Sequence, residues 1–334
     1  MARARVPLPR RRKTSDPPNP TSTSRPVLAA ASVLALGACT SSAEIEEEAT
    51  TSELTVNTSA DQERVHSTPS DEAVGLLPEG IVDDGTLTVA VGAFTAPLSF
   101  LADDNETVIG NETDIAQLVA DGLGLDLELV TTDWSNWPLA TQSGAVDVTI
   151  ANVTVTEERK ELFDFSSYRV DNLGFLANAG SDLSITEPKD VAGLTIAVGS
   201  GTNQEKILLA WDEQNRAAGL DPVDVQYFEN DGDTILALQS GRLDLSFGPN
   251  ATAAYRAATA PDDFEVVGTV NGGWPETAQI AVATAKGNGL AEAITAALNH
   301  AIDNGSYTDV LERWGLTSES IEKSETNPPG LPRS

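Results

Sequence analysis

The chain has 334 residues, with 20 Lys+Arg against 51 Asp+Glu, a formal net charge of −31 and a single cysteine. So acidic a surface repels nucleic acid and anionic lipid headgroups, so nucleic acid is excluded as a partner. One cysteine allows no intrachain disulfide, and with only two histidines no metal, cofactor or histidine-based catalytic centre is expected.

The first residues read as an address. Arg3, Arg5, Arg10, Arg11, Arg12, Lys13 and Arg25 precede a short apolar run, 27–36, and then Leu36-Gly37-Ala38-Cys39. Basic, apolar, then small residues is the layout of a secretory signal, and the apolar run is too short to span a bilayer as a helix. The small residues before Cys39 resemble a bacterial lipobox, which implies a signal peptide over 1–38 and a lipid on Cys39. Removing 1–38 takes away seven basic residues and one acidic one, leaving 13 Lys+Arg against 50 Asp+Glu and a net −37. Such a chain is expected outside the cytoplasm, held to the outer face of the cell membrane by lipid and not by a basic patch. Residues 39–82 are rich in Ser, Thr and Glu with almost no apolar periodicity, and predict a disordered tether.

Globular patterning begins at 83. Residues 87–91 (LTVAV) predict a strand, 114–120 a helix stopped by Gly122 and Gly124, 127–130 a strand, 137–142 a helix closed by Gly144, and 146–150 a strand. The alternation restarts with strand 194–198, helix 204–215, strand 223–227, helix 234–239 and strand 243–247. Strand 279–284 and helices 289–304 and 307–314 follow. Strands alternating with helices mean crossover connections and parallel sheets. About 235 residues suffice for two such lobes.

Between the two units lies 151–168, ANVTVTEERKELFDFSSY. Thr154 offers a hydroxyl, and Arg159 a planar fork of donors that matches a carboxylate bidentately. Glu157 and Glu158 sit where a short helix would start. The alternative is a solvated helix start whose Arg159 pairs with Glu158 or Glu161.

These pieces, in this order, resemble the polar-amino-acid type of extracytoplasmic solute-binding protein that serves ABC importers. The resemblance runs from about 85 to 316. It rests on the first strand and loop (87–100), Gly110-Asn111-Glu112-Thr113-Asp114 at a helix entry, and Asp133-Trp134 after the second strand. It continues through Thr154 to Arg159 followed by Asp164-Phe165-Ser166, the loop Gly199-Ser200-Gly201-Thr202, and Asn304-Gly305-Ser306-Tyr307 followed by Trp314. The implied fold is α/β and two-lobed, of the type II periplasmic-binding-protein kind, each lobe a mostly parallel sheet flanked by helices. Two crossings are implied, near 168–175 and 274–280. The first lobe would comprise 83–172 plus 279–320, the second 176–273, with 321–334 a disordered tail.

The resemblance also implies a cleft at the carboxyl ends of the strands that closes over a small polar carboxylate such as an amino acid or a derivative. Arg159 would grip the carboxylate, aided by Thr154, the backbone around Asn152, and Thr202 with Asn203 at the second lobe's helix start. Trp134 would wall the ligand's side chain, and Phe94 lies in the first loop. Where relatives place an aspartate after strand 243–247, this chain has Pro249, with neutral Asn250 beside it. Asn250, Glu276 or Asp133 must then accept an ammonium group, or the ligand lacks one, since a buried unpaired ammonium costs too much.

The partners implied are ABC permease subunits, with the binding protein itself a monomer. A dehydratase-like enzyme on the same scaffold and a sensing receptor are the competing readings. No G-x-S-x-G or Walker motif is present, and no catalytic residue is assigned.

Overall fold

The computed structural model describes residues 56–333, except Glu229 and the side chain of Phe94. The signal peptide, Cys39 and the start of the expected tether lie outside the described residues. In chain order the first half holds α1 (Asp71–Gly75), β1 (Thr86–Val91), β2 (Phe94–Thr95), β3 (Ser99–Leu101), β4 (Val108–Ile109), α2 (Asn111–Leu123), β5 (Asp126–Thr131), α3 (Trp137–Ser143) and β6 (Val148–Thr154). Then come β7 (Phe163–Asn178), β8 (Thr195–Val198), α4 (Asn203–Ala217), β9 (Asp224–Tyr227), α5 (Asp231–Gln239), β10 (Leu245–Pro249) and α6 (Asn250–Thr259). β11 (Phe264–Asn271), β12 (Ala278–Ala285), α7 (Leu290–Asn304) and α8 (Ser306–Trp314) complete the set.

β1 lies between β5 and β6, parallel to both, and β8 lies between β9 and β10, parallel to both. Crossover helices force this arrangement, as the alternating pattern predicts. β7 and β12 run antiparallel between the two groups and join everything into one nine-stranded sheet. β7 pairs with β12 over Phe163 to Asp171, then with β10 and β11 from Asn172 or Leu173 onward. The ladder thus passes from one lobe to the other between Asp171 and Asn172.

Each lobe has its own core. In the first, Leu87, Val89, Val91 and Ile150 of the sheet pack against Ile115, Leu118, Ile294, Leu298 and Trp314 of α2, α7 and α8. In the second, Phe175 and Phe247 stack with centroids 4.0 Å apart, and Trp211 of α4 lies 5.9 Å from Phe175. Gly124 and Gly144 end α2 and α3 in the left-handed conformation, as expected of helix stops. Gly122 does not stop its helix. It lies inside α2, where a Cβ would come 2.8 Å from that of Ala297, so its smallness sets the approach of α7.

Two expectations need correction. Residues 56–82, assigned to the tether, lie along the first lobe. Val56, Ala60, Val65, Leu77, Ile81 and Val82 pack on its core. Arg64 donates to the Val108 carbonyl (3.1 Å), His66 and the Ser67 amide meet Asp121 (2.8 and 2.9 Å), and the Ser70 amide donates to the Gly122 carbonyl (2.9 Å). A few irregularly spaced apolar anchors with fixed polar contacts do this, which average composition conceals. The tail is likewise placed: Asn327 N donates to the Phe165 carbonyl (2.8 Å) and Gly330 N to Glu157 Oε1 (2.9 Å). Beside them, Thr326 and Leu331 bridge to Ser166 and Thr156. Among the described residues no helix is long and apolar enough to cross a membrane.

Candidate functional site

β6 ends at Thr154, and the chain returns to β7 through a single 3-10 turn, Arg159–Glu161, shorter than the helix the two glutamates suggest. The Arg159 amide donates to Thr156 Oγ1 (3.0 Å), which fixes the turn and brings the guanidinium back over the strand end. There Nη1 donates to the Thr154 carbonyl (2.8 Å) and Nη2 to the Gly201 carbonyl of the second lobe (3.4 Å). The guanidinium carbon sits 5.4 Å from the Trp134 ring centre and 5.9 Å from that of Trp137. Desolvation lowers the proton affinity of Arg159, opposed by the charges of Asp171 and Glu158. Its side-chain partners among the described residues are carbonyl oxygens, and no carboxylate lies within ion-pair distance. The alternative of a surface pair with Glu158 or Glu161 does not hold: Glu158 pairs with Lys206 (3.1 Å) and Glu161 with Arg333.

Thr154 is buried and reaches across to the second lobe. Its hydroxyl lies 2.8 Å from Asp171 Oδ2 and 3.0 Å from Asn203 Oδ1. Asn203 opens α4 and donates through Nδ2 to Asp171 Oδ2 (3.0 Å) and to the Gly272 carbonyl. Thr202 is the α4 N-cap. Its hydroxyl accepts from Glu205 N (3.2 Å) and donates to the Gly199 carbonyl (2.7 Å), while Glu205 takes the Gly201 amide (2.6 Å). The Thr202 side chain is thus occupied as a cap, and the first-turn amides of Asn203 and Gln204 are the ones helix geometry leaves without an intrahelical partner.

Asn152 adopts φ +53° at a bulge between β6 and β12, a conformation asparagine tolerates better than most residues. Its Oδ1 accepts from Arg169 Nη2 (2.7 Å). Arg169 is paired with Glu112 at the start of α2 (2.9 Å) and with Glu319 after α8, and Tyr168 also bonds Glu112. All four are almost fully buried. Burial pulls the Arg169 guanidinium down, but Glu319 and Glu112 outweigh it and the net shift is upward. Burial raises Glu319, countered by Arg169 and by Asn250 at the start of α6. Asn250 therefore reaches toward the buried Glu319 carboxyl. It also lines a cavity of about 370 Å³ with Asn172, Thr269, Asn271 and Trp274. A larger hollow of about 630 Å³ lies elsewhere, between α1, α7 and the tail.

The structure therefore brings Thr154, Arg159, Asn203 and Trp134 together. Trp134 is half-buried against Arg159 and Trp137, and Trp137 is core. Phe94 lies on β2, its backbone paired with Phe100. Cys39 lies outside the described residues. Pro249 ends β10 and caps α6, so no acid stands there; Asp133 and Glu276, offered as replacements, are exposed.

Asp171 and Arg169 are the side chains the sequence reading passes over. Asp171 is buried, with a proton affinity raised by desolvation and held back by Thr154, Arg169, Asn203 and Arg159. Their signal is legible in retrospect: in the apolar strand 163–178, charges at 169 and 171 share one face.

Comparison with known proteins agrees with this architecture. The profile of the bacterial extracellular solute-binding proteins, family 3, matches residues 87–317. The L-cystine-binding protein TcyJ of Escherichia coli K12 is 30% identical over 242 residues, 72% of this chain and 86% of that protein. The arginine-binding protein ArgT of Corynebacterium glutamicum is 26% identical over 266 residues, 79% and 86% of the two chains. Among solved structures, an ancestral arginine-binding protein bound to arginine superposes with a TM-score of 0.61 at 31% identity, covering 69% of this chain and 98% of that one. The scaffold also carries other activities. A membrane-bound lytic murein transglycosylase F from Desulfosudis oleivorans is 28% identical over 65% of this chain but only 46% of its own length. With the profile match spanning both cores and the site between them, the chain belongs to the bacterial extracellular solute-binding proteins, family 3.

Proposed function

We propose that this chain captures an amino acid or a related small carboxylate between its lobes and delivers it to an ABC permease. It acts as a binding protein, not an enzyme, outside the cytoplasm and held to the cell membrane through a lipid on Cys39. The observation that carries the reading is Arg159. A desolvated guanidinium at the lobe junction, backed by two tryptophans and without a carboxylate partner, leaves donors suited to an incoming carboxylate. Relatives named for arginine, cystine and glutamine support an amino acid as the ligand class.

A thermal-shift screen of amino acids, their derivatives and small organic acids finds the ligand. Calorimetry on Arg159→Ala then tests the grip, with an affinity loss of at least tenfold expected, about 1.4 kcal/mol. Unchanged binding refutes the carboxylate role. Cys39→Ser should move the protein from the membrane fraction to the soluble one.

A further inference from the structure

The polar groups at the lobe junction do not balance. The Thr154 hydroxyl has one hydrogen, yet two acceptors stand within reach of it, Asp171 Oδ2 at 2.8 Å and Asn203 Oδ1 at 3.0 Å. The two hydrogens of the Asn203 amide already go to Asp171 Oδ2 and the Gly272 carbonyl. Asp171 Oδ1 has no hydrogen-bond partner among the described residues, and no cation pairs with Asp171 within 4.0 Å, although the residue is only 2% exposed. Gly272, on the returning crossing, backs it so closely that a Cβ there would come 2.2 Å from the carboxyl carbon. Acceptors thus outnumber donors at one buried point, and among them sits a carboxylate on which Arg169 and Arg159 act only from beyond ion-pair distance. A buried anion in that state is costly unless a cation joins it.

We propose that Asp171, with Thr154 and Asn203, is the acceptor site for the ligand's ammonium group. A primary ammonium brings three hydrogens and one positive charge, which matches the deficit: Asp171 Oδ1, Asn203 Oδ1 and the Thr154 oxygen. Arg159, whose charge acts on Asp171, lies beside this cluster to take a carboxylate. An ammonium and a carboxylate held side by side define an α-amino acid and reject an acid of the same shape without the amine. This rests on the carboxylate role of Arg159 and narrows it. Because Thr154 belongs to the first lobe and Asn203 to the second, the ammonium also ties the lobes together.

Calorimetry with matched pairs tests it: L-arginine against 5-guanidinopentanoic acid, and L-glutamine against glutaramic acid, for the native chain and Asp171→Asn. The native chain is expected to favour the amine-bearing member of whichever pair binds by at least a hundredfold. Asp171→Asn, nearly isosteric, should reduce that preference to tenfold or less. The ratio is the readout, because a general loss of folding weakens both members alike. If Asp171→Asn does not fold, the native preference still decides. Equal native affinity for both members, or a preference untouched by Asp171→Asn, overturns the role of Asp171 and leaves that of Arg159 standing. If no amino acid binds but a small organic acid without an amine does, the role of Asp171 falls and that of Arg159 stands; if no small carboxylate binds, both readings fall.

Discussion

Replacing Arg169 with methionine should expose how strongly the first lobe depends on its buried charges. Methionine keeps the length and apolar stem but leaves Glu112 and Glu319, both almost fully buried, without their shared cation. Removing one partner from a buried pair costs about 3–5 kcal/mol. For a body of this size about 2 °C is lost per kcal/mol, so the expected fall in Tm is about 6–10 °C at neutral pH. The loss should depend on pH with a definite sign. Without Arg169 the Glu319 carboxyl, already raised by burial, holds its proton more tightly folded than unfolded, so the folded state binds the excess proton and its stability falls as pH rises. The deficit is therefore larger at pH 8 than at pH 5. Replacing Glu112 and Glu319 by glutamine in the same chain removes the stranded charges and should recover more than half of it. Differential scanning calorimetry on the three proteins measures all of this. A Tm for Arg169→Met within 1 °C of the native value, flat with pH, refutes the assignment of the cluster as a structural charge hub.

Asp171 supplies a second pH test. Its raised proton affinity means native stability falls as pH climbs from about 4, the ordinary aspartate value, through the folded value, a slope Asp171→Asn lacks. The native-minus-variant difference in Tm should shrink over that range, and a constant difference counts against it. Deleting 56–82 should cost at least about 3 kcal/mol, taking about 1 kcal/mol for the apolar burial lost with each of Val56, Val65 and Leu77, read by urea unfolding. Gly110→Ala should cost at least 1–3 kcal/mol from backbone strain, because φ there is +134° and the new Cβ would meet the Leu98 carbonyl at 2.3 Å; an unchanged urea midpoint would contradict this.

The elements that follow a local period were legible. The strand at 86–91 and the helices closed by Gly124 and Gly144 depend on residues within one or two turns of each other. Thr154 and Arg159 were legible as a pair because they lie five residues apart, whereas Trp134 joined them only through the family resemblance. What was lost depends on distant partners. Strand 163–178 takes its length from β12, β10 and β11, all from elsewhere in the chain. The strap at 56–82 has no period, because single anchors such as Val65 and Leu77 are chosen by the surface beneath them. Asp171 looks like a hinge residue until Thr154 and Asn203 are brought to it from opposite lobes, and Glu319 like a loop residue until Arg169 faces it.

The sixteen residues of Phe163–Asn178 close the edge of the first half beside β12 and run between β10 and β11 in the second. Its two stretches answer to different neighbours: among the strands, Phe163–Asp171 is paired with β12 alone, Asn172–Asn178 with β11 and, in its middle, with β10. Any bending that admits a nutrient must accordingly be absorbed as torsion where that ribbon changes neighbours, between Asp171 and Asn172, and in the returning segment 272–277 between β11 and β12.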